Sequence, residues 1–125
     1  MAEVRLGEIG QIAVQVDDLD RAVAFYRDTL GMRSLFQVPN MAFFDCGGVR
    51  LMLGVREGGD GQGGTSTIYY RVDDLQGAYE TLSGRGVTFV EKPGLVAHME
   101  DHDLWMAFFR DSEGNLLALM SEVRS

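Results

Sequence analysis

Met41-Ala42-Phe43-Phe44 returns letter for letter as Met106-Ala107-Phe108-Phe109, 65 residues later. The match widens on both sides. Downstream, Asp45-Cys46-Gly47-Gly48-Val49-Arg50-Leu51-Met52-Leu53 answers to Asp111-Ser112-Glu113-Gly114-Asn115-Leu116-Leu117-Ala118-Leu119 at an offset of 66, and upstream Val16-Asp17-Asp18-Leu19 answers to Val72-Asp73-Asp74-Leu75 at an offset of 56. The pieces keep their order, so this is a tandem duplication. A period near 60 that occurs twice is too long for solenoid units and describes two half-domains sharing one core. Two facing copies of a curved unit make a cleft, the ordinary setting for small-molecule binding.

Each copy reads β-α-β-β-β. In residues 9–16, Ile12, Val14 and Val16 alternate with Gln11, Ala13 and Gln15, the period of a half-buried strand. Asp17 or Asp18 supplies an N-cap for a helix over 19–30, whose Leu19, Ala22, Val23, Phe25, Tyr26 and Leu30 form one buried stripe, and Gly31 stops it. Strands follow near 32–38, 41–45 and 49–54. The second copy repeats the plan with a strand at 66–72, a helix at 75–85 ended by Gly86, and strands near 88–91, 104–110 and 116–121. The domain is therefore read as a single unit of 1–125, with module one at about 7–56, a glycine-rich linker at 57–64 and module two at about 65–123.

Bulk properties fit this plan. At 125 residues the chain forms one domain with a real core. The net charge of −8 is spread over both halves, −3 for residues 1–64 and −5 for 65–125. Acidity on both sides disfavours nucleic acid or an anionic membrane as partner. The single cysteine, Cys46, excludes an intrachain disulfide and fits a reducing compartment. No apolar run reaches the ~18 residues of a membrane span, and the first residues carry no signal pattern. A cytoplasmic protein is expected.

Residues 9–32, Ile-Gly-Gln-Ile-Ala-Val-Gln-Val-Asp-Asp-Leu-Asp-Arg-Ala-Val-Ala-Phe-Tyr-Arg-Asp-Thr-Leu-Gly-Met, resemble the opening module of the vicinal oxygen chelate superfamily, which includes glyoxalase I, bleomycin-resistance proteins and extradiol dioxygenases. Phe-Phe-Arg-Asp-Ser-Glu-Gly-Asn-Leu-Leu-Ala-Leu (108–119) is similar to its aromatic-Asp-Pro-x-Gly-Asn ending, with Ser112 where proline is usual. The resemblance implies an α+β fold in which tandem βαβββ modules form an incomplete barrel, with helices outside and a pocket between curved sheets. It does not fix the chemistry, because one scaffold hosts several reactions.

Enzymes of that superfamily hold a divalent ion on the first and last strands of each module, and the ion polarises substrate oxygens. By the resemblance and the module offsets those positions fall on Gln11, Met52, Thr67 and Ala118. A glutamine oxygen with a thioether, a hydroxyl and a methyl is no usable set for a divalent ion. No metal and no cofactor are expected. His98 and His102 offer two more nitrogens, but they lie in an acidic stretch read as an exposed loop over the pocket mouth, and two donors make a poor site. Cys46 lies beside Asp45, which raises a thiol pKa, and Asp17-Asp18 and Asp73-Asp74 are helix caps. No catalytic residue stands out.

If the metal positions mark the cavity face, alternation adds Gln15, Arg50, Tyr69 and Arg71 to Gln11, Met52, Thr67 and Ala118 as ligand-lining residues. For Arg50 and Arg71 an ion pair with a local carboxylate is the competing reading. Trp105 is either a stacking platform for a planar ligand or core filler. The expected function is a metal-free small-molecule binder of the glyoxalase/bleomycin-resistance type, sequestering an antibiotic or other planar, cationic ligand as a homodimer. The alternatives are a lyase, isomerase or dioxygenase with an atypical or absent metal site, and a non-catalytic accessory protein.

Overall fold

The computed structural model describes residues 4–55 and 66–124, so the linker expected at 57–64 lies outside the described residues. The first half runs β1 (Gln11–Val16), α1 (Leu19–Ala24), a π-helical turn (Phe25–Thr29), β2 (Arg33–Val38), β3 (Met41–Cys46) and β4 (Val49–Val55). The second runs β5 (Ile68–Arg71), α2 (Leu75–Gly84), β6 (Phe89–His98), β7 (Asp103–Arg110) and β8 (Leu116–Val123). Each half closes its own four-stranded sheet, in the orders β1-β4-β3-β2 and β5-β8-β7-β6. In both, the first strand joins the last in parallel and the other pairings are antiparallel. This is the α+β architecture of two open βαβββ sheets that the repeat predicts.

Local chemistry explains the element ends. Asp18 Oδ1 accepts from the Arg21 amide at 3.1 Å, and its counterpart Asp74 Oδ1 accepts from the Gly77 amide at 3.0 Å. Each satisfies one of the amides that a helix start leaves without a partner. Gly31 and Gly86 end the two helices at φ 77° and 95°, a left-handed conformation that only glycine adopts without strain.

Two elements differ from the sequence reading. The helix expected over 19–30 is α-helical only to Ala24 and then widens, with the Leu30 amide bonding the Phe25 carbonyl at 2.9 Å. The capping aspartates are 56 residues apart but the terminating glycines only 55, so module one holds one extra residue, and the π turn absorbs it. The strand expected near 88–91 instead runs as far as His98. Its pairing with β7 breaks register three times, between Phe89 and Glu91, between Glu91 and Gly94, and between Leu95 and Ala97. Such bulges carry a strand past Pro93, which has no amide hydrogen for the ladder.

Burial follows the alternation. One face of each sheet lies under its helix, and a single cluster takes Val16, Tyr26, Phe44 and Leu53 from the first half and Leu82, Phe109, Leu117 and Leu119 from the second. The halves thus share one core through their helix-side faces, leaving the other faces open.

Candidate functional site

The open face of the first sheet gathers several of the residues expected to line a cavity. In register, Gln11 lies beside Arg50, Ala13 beside Met52, and Met52 opposite Phe43, which pairs with Phe36. Arg50 Nε donates to Gln11 Oε1 at 2.9 Å, and the guanidinium carbon lies 5.8 Å from the Phe43 ring centroid. Gln11 Nε2 points to Met52 Sδ at 3.9 Å. Phe36 and Phe43 stack at 4.5 Å with 22° between planes, and Phe36 is 49% exposed. The result is an apolar aromatic shelf with one fixed cation beside it, suited to a flat ligand that offers an acceptor.

The matching face of the second sheet carries a different set of side chains. Tyr69, Ala118 and Phe108 lie side by side on successive strands, and the Tyr69 and Phe108 rings meet edge to face at 5.9 Å. Ala118 is completely buried. Arg71 faces Glu122 at 3.7 Å, an ion pair of the kind read as its competing role. Gln15 and Ala13 instead look onto a cleft of about 400 Å³ between β1 and the starts of β5 and β8, with Ser66, Asn115 and Leu116. Thr67 precedes β5 and is partly buried. Trp105 is not with these residues. It shares the helix-side face of β7 with Ala107 and Phe109, packs against the core, and borders a cavity at the start of α2 with Leu75 and Pro93.

The donor chemistry at the four metal positions does not fit a divalent ion. Met52 and Ala118 bring a thioether and a methyl, and Ala118 lies beneath two rings. The one good oxygen, Gln11 Oε1, is already held by the Arg50 cation at 2.9 Å, so a second cation there would meet like charge. Among the described residues no group of three or more His, Cys, Asp or Glu is placed to hold a metal. The stretch read as a loop around His98 and His102 is the tip of the β6–β7 hairpin, and His98 is the last residue of β6. His98 Nδ1 lies 2.7 Å from Asp103 and His102 Nδ1 2.7 Å from Asp101, so each imidazole has its own carboxylate.

What the sequence reading missed is the seam where the halves meet. The β7–β8 turn (residues 111–115) docks on the start of α1. Glu113, whose side chain is fully buried, accepts from the Asp17 and Asp18 amides, both at 2.9 Å, and pairs with Arg21 at 2.7 Å. Burial alone would raise its pKa, but Arg21, the two amides and Ser112 outweigh that and hold it at about 2. Asp111, 6% exposed, takes the Tyr26 hydroxyl at 2.6 Å and the Glu113 and Asn115 amides at 2.8 Å. Burial, then Asp111, keeps the Tyr26 phenol protonated far above its ordinary range, so it remains a donor. The glutamate and its amide partners are some 95 residues apart in sequence, beyond the reach of any local pattern.

Comparison with known proteins agrees with this architecture. The family model described as Glyoxalase/Bleomycin resistance protein/Dioxygenase superfamily matches residues 8–119. The uncharacterized protein YraH of Bacillus subtilis (strain 168) is 28% identical over 127 residues, covering 87% of this chain and 94% of that protein. A glyoxalase/bleomycin resistance protein/dioxygenase superfamily member from Sphaerobacter thermophilus superposes with a TM-score of 0.75 at 27% identity, over 94% of this chain and 98% of that one. The lactoylglutathione lyase of Agrobacterium tumefaciens gives 0.76 at 22% identity over 93% and 94%, a likeness of fold.

Proposed function

We propose that this chain, which belongs to the glyoxalase/bleomycin resistance protein/dioxygenase superfamily, is a metal-free binder that sequesters a planar aromatic molecule, such as an antibiotic, on the open face of its first sheet. The observation that carries this reading is Arg50. Its guanidinium holds the one oxygen a metal would use and stands beside the stacked Phe36 and Phe43 rings. A ligand ring would extend that stack while a carbonyl or carboxylate met Arg50. The net charge of −8 would draw cationic drugs towards the protein over longer range.

A homodimer is part of the proposal. Phe36 and Val38 on the edge strand β2 and Met41 on its neighbour β3 are 49%, 40% and 37% exposed, apolar area that a second copy would cover to close a cavity. An interface on the order of 2,000 Å² is the scale of such pairs. The cytoplasm, where a lone thiol stays reduced, is the proposed location. Among the described residues no helix is long and apolar enough to cross a membrane.

The test joins calorimetry, elemental analysis and mass spectrometry. Protein purified without chelators should carry no stoichiometric divalent ion. It should bind a member of a panel of planar aromatic natural products, bleomycin included, and release it unchanged. Arg50→Met should weaken that binding at least ~10-fold, the scale of a lost charged hydrogen bond. A one-to-one content of zinc, nickel, manganese or iron, lost on Gln11→Ala, would overturn the reading, as would chemical conversion of the bound compound.

A further inference from the structure

The pseudo-twofold relation between the halves pairs the Glu113 seam with a second one, where Cys46 at the end of β3 and Gly77 near the start of α2 line one cavity. At the second seam Gly77 stands where the first has Arg21, Leu82 where it has Tyr26, and Gly47 where it has Glu113. Cys46 replaces Ser112 and Val49 replaces Asn115. Every member of the polar network but the aspartate has become apolar or lost its side chain. The residues around it form a cavity of about 390 Å³ whose walls include Leu30, Met32, Ala78, Leu119 and Phe109. A hollow of similar volume beside the first seam is bordered by Arg110, Asp111 and Ser112, so the seams differ in chemistry rather than in size.

One substitution runs the other way. Val14 of the first module corresponds to Tyr70 of the second, and Tyr70 lines this apolar cavity. Its hydroxyl is the one buried side-chain nitrogen or oxygen without a hydrogen-bond partner among the described residues. Such a group costs stability until something accepts its proton. A side chain at Gly77 would press on the Asp74 cap carboxylate, which would have to shift to make room.

We infer that this inter-module cavity is a second ligand site, separate from the open sheet, for a small and largely apolar molecule whose single acceptor oxygen takes the Tyr70 hydroxyl proton. The volume lies in the lower range of small-molecule pockets, and the lining matches them in being mostly apolar, with Tyr70 and Thr81 as its hydroxyl-bearing residues. Burial, followed by the neighbouring Cys46 and Asp111, raises the Tyr70 phenol above its ordinary pKa, so it stays a donor at neutral pH. Burial and then Asp45 likewise keep Cys46 as a neutral thiol, part of the apolar wall.

The experiment is an amide NMR titration of the full chain with two isosteric probes, acetophenone and α-methylstyrene, which differ in one acceptor oxygen. Acetophenone should give saturable shifts centred on Ala78, Thr81 and Leu119 and bind about 5- to 10-fold more tightly than the hydrocarbon, the scale of one hydrogen bond. Tyr70→Phe should erase that preference while leaving α-methylstyrene binding in place. Thr81→Trp, at an exposed helix position on the cavity wall, should remove both. Ala78→Leu provides a second filling variant, with the apo spectrum reporting folding. The inference is overturned by the absence of saturable shifts with either probe at millimolar concentration. Shifts centred on Gln11 and Met52 would also overturn it, as would binding that survives Thr81→Trp. Shifts at the cavity that follow protein concentration instead of probe would assign it to a second copy and sink the small-molecule site.

Discussion

At the first seam a turn carrying Glu113 reaches across to α1 and is held by two backbone amides and an arginine. At the second, the corresponding turn carries Gly47, and Gly77 stands in the arginine's place. The backbone plan is the same, with caps on Asp18 and Asp74 and glycine stops at Gly31 and Gly86. The duplicated halves diverged in what fills the space between them. One junction became a buried polar lock and the other an apolar hollow, so the same substitution made at paired positions should have unlike effects.

The largest difference should come from the paired aspartates. Asp111 is buried and serves four donors, whereas Asp45 accepts from the Gly48 amide at 3.2 Å in an exposed turn. Asp111→Ala strands several buried donors and should cost about 3 kcal/mol or more, against less than ~1 kcal/mol for Asp45→Ala. Urea denaturation of both variants measures this, and equal losses would break the comparison.

Tyrosine to phenylalanine should change sign between the seams. Tyr26→Phe deletes the donor on Asp111 and should destabilise by about 1–2 kcal/mol, while Tyr70→Phe removes an unpartnered buried hydroxyl and should be neutral or stabilising by up to ~1 kcal/mol. A shared sign in thermal and urea melts would mean that the Tyr70 hydroxyl is satisfied in solution.

The smallest effect concerns acid. Glu113 has a folded-state pKa of about 2 against an ordinary value of 4.5. A depressed carboxylate contributes stability that is complete above the unfolded value and is lost as pH falls through the folded one. The native protein should therefore lose part of its stability between about pH 4.5 and 2 through this group. Glu113→Gln should flatten that segment of a stability-against-pH curve. An unchanged slope would show that Glu113 contributes nothing to the acid response.

How much of this could be read beforehand divides along local and non-local lines. The repeat of Met41–Phe44 at Met106–Phe109 fixed the topology, because duplicated alternation implies duplicated sheets. The caps and glycine stops were legible because each acts within four residues. Gln11, Arg50 and Met52 came together as parity predicts. Trp105 did not join them, although its parity with the apolar Ala107 and Phe109 already marked the core side of β7. The bulges of β6 escaped because Pro93 reads locally as the end of a strand. The seam network was hidden altogether, since Glu113 finds its amides 95 and 96 positions away.

The π turn records a history as well as a geometry. One residue added to an α-helix normally rotates everything after it by about 100°, which would carry Gly31 off its stop and swing β2 out of register. Here five residues widen and absorb the insertion, and the glycine still falls where its twin does. A single codon separates the two helices of this duplicated gene, gained in one copy or lost from the other. The fold tolerated that frame-preserving change because a helix can store one surplus residue as a local loosening instead of passing it down the chain.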